Sequence, residues 1–334
     1  MTFIDAMKEK ARKDIKNIVL PEADDVRVLK ATEMVLNEGF ANIILIGDTD
    51  EIKNLAKENN INIDGVQIIN PLTSTKLRKY SDDLYELRKA KGMTIEQAQE
   101  LLKTNSRYFA TMMVKSGDAD GFVSGANHPT SDTLRPALQI LKTAPNTKLV
   151  SAFFVMVVPE CDYGENGIFV FADCGLNEYP DAEALSEIAI SSAESFKELV
   201  GKEPKVAMLS YSTMGSAHSP LTEKVVEATK LLKSKKPDLI CDGEIQLDAA
   251  IIPEIAERKA PNSPLKGESN ILIFPDLDAG NIGYKLTQRF GKAEAYGPLC
   301  QGISKAVNDL SRGCSSSDIA GVVAITAVQA QNIK

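Results

Sequence analysis

Short apolar runs without an alternating polar face recur along nearly the whole chain, separated by stretches of helical spacing, and this pattern limits the fold more than any other feature. A strand wet on one face alternates polar and apolar residues, so continuous runs read as strands buried on both faces, as in parallel sheets. Expected strands are Asn17–Leu20, Asn42–Ile46, 66–69, Gly121–Ser124, 150–158, Ile168–Ala172, Lys205–Leu209, 239–242 and 271–275. Helices fit between them. After Thr94, with Gln97 in the capping-box position, Ile95, Ala98, Leu102, Phe109 and Met113 keep helical spacing, and Leu185, Ile188, Ala189, Phe196, Leu199 and Val200 do the same. The alternation predicts a doubly wound α/β architecture with right-handed crossovers, in which ligands gather beyond the carboxyl ends of the strands. Paired helices at 73–91 and 94–116 have no strand between them, and 143–146, with Pro145, reads as a hinge. One domain is therefore expected before about residue 148 and another from there to about 298, while the last helix, 316–329, can close either sheet.

A length of 334 residues gives room for such a two-domain core, and 43% hydrophobic with 25% charged residues is an ordinary globular balance. The formal charge of −8 argues against a general nucleic-acid binder, so an anionic small ligand needs a local nest of cations. Residues 1–17 mix Asp5, Lys8, Glu9, Lys10, Arg12, Lys13 and Asp14, unlike a secretory signal, and the apolar stretch 149–158, interrupted by Ser151 and ended by Pro159, is too short to span a bilayer. Five cysteines, Cys161, Cys174, Cys241, Cys300 and Cys314, are scattered singly, which fits a reducing cytoplasm. His128 and His218 are the only histidines, too few for a histidine or thiolate zinc site, and neither lies in a nucleophile-elbow turn. Proton transfer falls to carboxylates.

Four strand-end loops and one C-terminal segment can carry chemistry. The segment 124–135 holds Ser124, Gly125, Asn127, His128, Thr130, Ser131 and Thr133 and ends on Arg135; it reads either as a loop whose free amides and helix dipole hold an anion or as a turn with an ordinary cap. The segment 211–217, with Ser212, Thr213, Gly215 and Ser216 ahead of Ser219-Pro220, has the same two readings. Neither matches the dinucleotide or Walker fingerprint. Asp242, Asp248, Asp276 and Asp278 close two later strands; a magnesium site is conceivable there, but caps and turns are the commoner use of such acids. Finally, 308–318 packs Ser311, Arg312, Gly313 and Cys314 together and places Ser315 and Asp318 in capping-box spacing, so that Asp318 reads as a helix-start carboxylate and Cys314 as a small buried hydrophobe.

Taken together, SGANHPTSDTLRPALQ (124–139), FADCGLN (171–177), YSTMGSA (211–217), DGEIQLDAA (242–250), GNIGYKL (280–286) and NDLSRGC (308–314) resemble the phosphate acetyltransferase (phosphotransacetylase) family in order and spacing, over almost all of the chain. The resemblance implies interconversion of acetyl-CoA plus phosphate with acetyl phosphate plus CoA, with CoA and acetyl-CoA as substrates, no tightly bound cofactor and no metal. It implies two doubly wound α/β domains with a cleft between them, an isocitrate/isopropylmalate dehydrogenase-like architecture, divided as 1–148 plus 299–334 and 149–298. A cytoplasmic homodimer that meets neither nucleic acid nor membrane belongs to the same expectation. Carried over by motif, Ser311 and Arg312 contact substrate, Asp318 accepts the CoA thiol proton, and Arg135 and Arg88 hold phosphate or CoA. Ser124, Asn127, Thr130, Thr133, Ser212, Thr213, Gly215, Ser216, Asn281, Tyr284 and Lys285 line the substrates, and Cys161 occupies the position of a family cysteine near the CoA pocket. Asp278-Ala279 departs from the family, standing where an uncharged pair is expected.

Competing readings are a phosphate acyltransferase for a longer chain such as butyryl, a non-catalytic acetyl-CoA-sensing module, and a nicotinamide-dependent decarboxylating dehydrogenase. The complete Ser311, Arg312 and Asp318 set argues against the second. The absence of a recognisable cofactor loop argues against the third.

Overall fold

Uninterrupted apolar runs are what the sequence offers for strands, and the first of them, Ile18, Val19 and Leu20, is almost wholly removed from water. In the computed structural model, which describes residues 2–145 and 147–333, the chain divides into two units, Met1–Pro145 with Ile303–Lys334 and Asn146–Gly302. Asn146, at the end of the expected hinge, lies outside the described residues.

The first unit begins with α1 (Phe3–Ala11), β1 (Asn17–Leu20), α2 (Val26–Glu38), β2 (Asn42–Ile46), α3 (Thr49–Glu58) and β3 (Gln67–Ile69). A helical excursion follows: α4 (Leu77–Arg88), α5 (Ile95–Thr104) and α6 (Ser106–Ser116), then β4 (Gly121–Ser124) and α7 (Thr130–Ile140). The expected single helix 94–116 is two. Asn105 turns out of the helix to φ −128°, ψ 100°, and its side chain accepts from the amides of Arg107 and Tyr108, starting α6 afresh. The Thr94/Gln97 capping box forms as expected.

The second unit contains β5 (Ser151–Val157), β6 (Ile168–Ala172), α8 (Ala182–Leu199), β7 (Lys205–Leu209), α9 (Pro220–Lys235), β8 (Ile240–Ile245), α10 (Leu247–Ile251), α11 (Pro253–Lys259), β9 (Ile271–Ile273), α12 (Leu277–Phe290) and β10 (Glu294–Gln301). Its strand order is β10-β5-β6-β9-β7-β8. The expectation of parallel strands fails at one side of this sheet, where β5 runs antiparallel to both β6 and β10. The short connection between β5 and β6 explains their pairing, because a parallel return needs a crossover of a dozen or more residues.

The chain returns to the first unit as β11 (Ala306–Asp309) and α13 (Ser316–Asn332). There β3-β2-β1-β4-β11 are all parallel, with Ser124 opposite Asp309. Helix α13 is buried continuously from Ile319 to Val328 and packs on α1, α2 and β4. Burying each of its Val and Ile side chains contributes about 1.5–3 kcal/mol. The Gln331 side chain closes the packing by donating to the carbonyls of Lys10, Ala11 and Asp14 at the end of α1. The first unit therefore takes its strand ends from both extremities of the sequence.

Candidate active site

In the first unit β1 lies between β2 and β4, the place where strand order reverses and ligands collect in open α/β sheets. The loop after β4 is one candidate for an amide nest open to a substrate anion. The nest exists, but a carboxylate of the protein itself occupies it. Glu22, just beyond β1 and only 2% exposed, accepts from the amides of Gly125 (2.7 Å), Ala126 (2.9 Å) and Asn127 (3.2 Å), and lies 2.6 Å from His128 Nδ1. What remains open is the first turn of α7, where Pro129 stands at the cap position and makes no side-chain bond. Those amides and the positive end of the helix dipole still favour an anion.

Arg27, near the start of α2, fastens this loop to the turn after β11. Its guanidinium donates to the carbonyl of Ala126 (2.8 Å) and to Asn127 Oδ1 (3.3 Å) on one side, and to the carbonyls of Arg312 (2.9 Å) and Cys314 (3.0 Å) on the other. Asp25 holds it in place, accepting from the same guanidinium at 2.6 Å and raising its pKa further. The motifs 124–139 and 308–314 are thus held side by side, with Ser311 and Arg312 left exposed at the surface of the turn. Cys314 is buried, and burial pushes its thiol up to about 11, so it stays protonated near neutrality. Asp318 takes the capping-box place expected of it: one oxygen accepts from both the amide and the hydroxyl of Ser315, at 2.8 Å each.

Beneath the loop, Asp309 is 1% exposed and accepts from the Thr130 hydroxyl at 2.5 Å. Burial pushes its carboxyl up to about 7, and the charge of Glu22 acts in the same direction. Thr133, fully buried one turn into α7, and Ser124, fully buried at the end of β4, complete this floor. An acid whose folded pKa exceeds its unfolded value of about 3.9 contributes stability at low pH that is lost as pH rises through the folded value. Asp309→Asn, which keeps an acceptor for Thr130, is therefore expected to gain stability relative to wild type between pH 4 and pH 8, measured by urea midpoints. Parallel curves for the two proteins would contradict the burial of a titrating carboxyl.

Arg88, at the end of α4, and Arg135, in α7, come from separate elements to the same neighbourhood. Burial raises the pKa of the Tyr108 hydroxyl, and both guanidiniums pull it down. Arg135 is exposed, and Arg88 Nε is buried without a hydrogen-bond partner. Tyr108 itself donates to Gln139 at 2.9 Å.

The second unit repeats the internal-carboxylate device. Glu244, 3% exposed, accepts from the Ser212 hydroxyl and the Gly215 amide at 2.7 Å each, while Ser216 Oγ takes the Thr213 amide and Thr213 Oγ1 donates to Gln246. Asp173 likewise accepts from the amides of Gly175, Leu176 and Asn177. The loop 211–217 is thus a turn closed on itself, the more ordinary of its two readings. Asn281 donates to the Cys174 carbonyl at 3.3 Å, and Lys285 donates to Asn281 while lying 5.0 Å from the Tyr284 ring centre. Tyr284 is a core residue here, stacked on Phe154 at 4.1 Å, and Cys161 packs half-buried against the same cluster. The four late aspartates divide as caps and ion pairs: Asp242 with Lys233, Asp248 with Lys259, Asp276 capping α12 and Asp278 in its first turn. Among the described residues no group of three or more His, Cys, Asp or Glu side chains is arranged for a metal.

Sequence reasoning missed Glu22, Asp25 and Arg27. A signal was available: they follow the first buried strand directly, at its carboxyl end.

Fold and site together define an α/β protein whose strand-end loops present guanidinium and hydroxyl groups at the carboxyl edge of a parallel sheet. The chain belongs to the phosphate acetyl/butaryl transferase family of acyltransferases, whose model matches residues 2–327. It is 61% identical over 334 residues, covering 100% of both chains, to a phosphate acetyltransferase of Acetivibrio thermocellus. A solved phosphotransacetylase from Streptococcus pyogenes is similar at a TM-score of 0.92 and 43% identity, covering 99% of this chain and 100% of that one. A branched-chain phosphotransacylase from Enterococcus faecalis, at a TM-score of 0.67 and 20% identity over 95% of this chain and 99% of that one, shares the fold.

Proposed function

We propose that the chain transfers an acetyl group reversibly between CoA and phosphate, by direct attack of the CoA thiolate on the acyl phosphate in a ternary complex. The observation that carries the reading is the Arg27 bridge, which keeps the exposed Ser311 and Arg312 beside the loop that opens α7. In this reading Arg312 and Ser311 stabilise the carbonyl oxygen and the departing phosphate. Arg135 and Arg88 hold phosphate or CoA, assisted by Thr130 and the open first turn of α7. Asp318 takes the thiol proton. Ser124, Asn127 and Thr133 act by positioning, as do Ser212, Thr213, Gly215 and Ser216 through Glu244. Asn281, Lys285 and Cys161 contact CoA in this reading, with Tyr284 supporting Lys285 from the core. A cytoplasmic homodimer, and a domain division at 1–148 plus 299–334 and 149–298, are parts of the same proposal.

Magnitudes decide which group matters most. A thiol of pKa about 8.5 is already roughly one-tenth ionised at pH 7.5, so completing its ionisation is worth only about 1.4 kcal/mol. A preorganised donor aimed at developing negative charge is worth about 2.7–4 kcal/mol. The guanidinium, rather than the base, supplies the larger share. Burial pushes the Cys314 thiol up to about 11, which makes it a poor acyl acceptor near neutrality. The purified chain is expected to release CoA from acetyl-CoA only when phosphate or arsenate is present, with no absorbance change when a nicotinamide cofactor is added. Oxyanion-independent release, or a hydrolysis-sensitive acetyl group trapped on Cys161 or Cys314, would overturn the reading.

A further inference from the structure

Within the first unit a cavity of about 640 Å³ is lined by Glu22, Thr104, Ser106, Arg107 and His128 among others. None of the residues proposed above for the transfer reaction lines it. Arg107 is 8% exposed, enters no ion pair among the described residues, and has its Nε buried without a hydrogen-bond partner. A guanidinium cannot shed its charge, so burying one without an anion carries a desolvation cost that a bound anion would relieve.

A second nitrogen group of the cavity is oriented in advance. Glu22 takes the Nδ1 side of His128 at 2.6 Å, which leaves Nε2 as the open nitrogen of a ring about one-third exposed. An anion arriving between the two side chains would draw a proton onto Nε2 and accept from it, as from the Arg107 fork and the Ser106 hydroxyl. The lining also carries the opposite sign: Asp24, Asp48, Glu51 and Glu58, all exposed, belong to the same cavity. Those carboxylates disfavour an extended polyanion such as CoA or a nucleotide, which would lie against several of them, more than a compact oxyanion that can sit against Arg107.

We propose that this cavity is a second ligand site, taking one compact tetrahedral oxyanion between Arg107 and His128, separate from the place where substrates react. Because His128 shares Glu22 with the amides of Gly125, Ala126 and Asn127, an occupant sits one side chain away from the loop that leads into α7.

Inorganic sulfate, which cannot accept the acetyl group productively, is the probe. His128 and His218 are the only histidines, so imidazole nitrogen resonances give two sets of signals, told apart by His218→Gln. Sulfate titration is expected to move the His128 signals saturably toward the imidazolium position and to leave those of His218 in place. The shift should vanish in Arg107→Met and persist in Arg135→Ala, and the KM for phosphate should be the same in Arg107→Met as in wild type. Should Arg107→Met not fold, Arg107→Lys, which keeps the charge and loses the fork, is expected to bind about tenfold more weakly. His128 signals that stay put in wild type, or a shift that survives in Arg107→Met, would overturn the proposal while leaving the transfer reaction untouched.

Discussion

Glu22→Ala is expected to destabilise the protein by about 3–5 kcal/mol, among the larger effects a single substitution can have. The carboxylate is 2% exposed and is shared by three backbone amides and His128, so its loss strands several donors at once. Each buried donor left unpaired costs about 1–3 kcal/mol, less whatever water entering from the adjoining cavity restores. The cost should appear in the denaturant midpoint with an unchanged slope. Glu22→Gln, which keeps one acceptor oxygen but places an NH2 group against an N–H, should fall between wild type and alanine. Alanine at wild-type stability would mean that the loop amides do not depend on this carboxylate.

Arg312→Ala is expected to lower turnover about 10²–10³-fold at every pH, whereas the loss in Asp318→Asn should shrink above about pH 8.5, where the CoA thiol ionises unaided. Structure makes the pair a fair comparison. Arg312 is exposed on its turn with its backbone, not its side chain, held by Arg27, so truncation leaves the turn standing. In Asp318 only an acceptor oxygen is needed by Ser315, and asparagine retains one. Losses of equal size with the same pH dependence would contradict the division of labour between guanidinium and base.

Much of the fold could be read from the sequence because its strands are uninterrupted apolar runs. Asn17–Leu20, Asn42–Ile46, Gly121–Ser124, Ile168–Ala172 and Lys205–Leu209 form at the expected bounds. Where strands were missed, the residues explain it. Glu294–Gln301 contains Gly297-Pro298, at which its register with β5 shifts, and a proline ordinarily counts against a paired strand. Ala306–Asp309 is four residues long and half polar, yet all four are buried, since Asn308 donates to Thr326 and Asp309 meets Thr130. Neither partner is near in sequence. The site divides in the same way. Its exposed hydroxyl and guanidinium motifs carry composition that stands out, but Glu22 and Arg27 bond to backbone groups 103 and 285 residues away. An amide or carbonyl is common to every residue, so the partner leaves no mark in the sequence. The amide nests themselves were legible as glycine-containing loops; that a carboxylate of the chain fills each one was not.

Arg312 and Arg135, from motifs joined through Arg27, are proposed to act on one and the same acyl phosphate. A double-mutant cycle on kcat/KM for acetyl phosphate, with Arg312→Ala, Arg135→Ala and both together, addresses that claim directly. Groups sharing one anion should give a combined loss that departs from the sum of the single losses by at least about 1 kcal/mol. A sum that holds to within about 0.3–0.5 kcal/mol would place the two guanidiniums on separate tasks and contradict the claim.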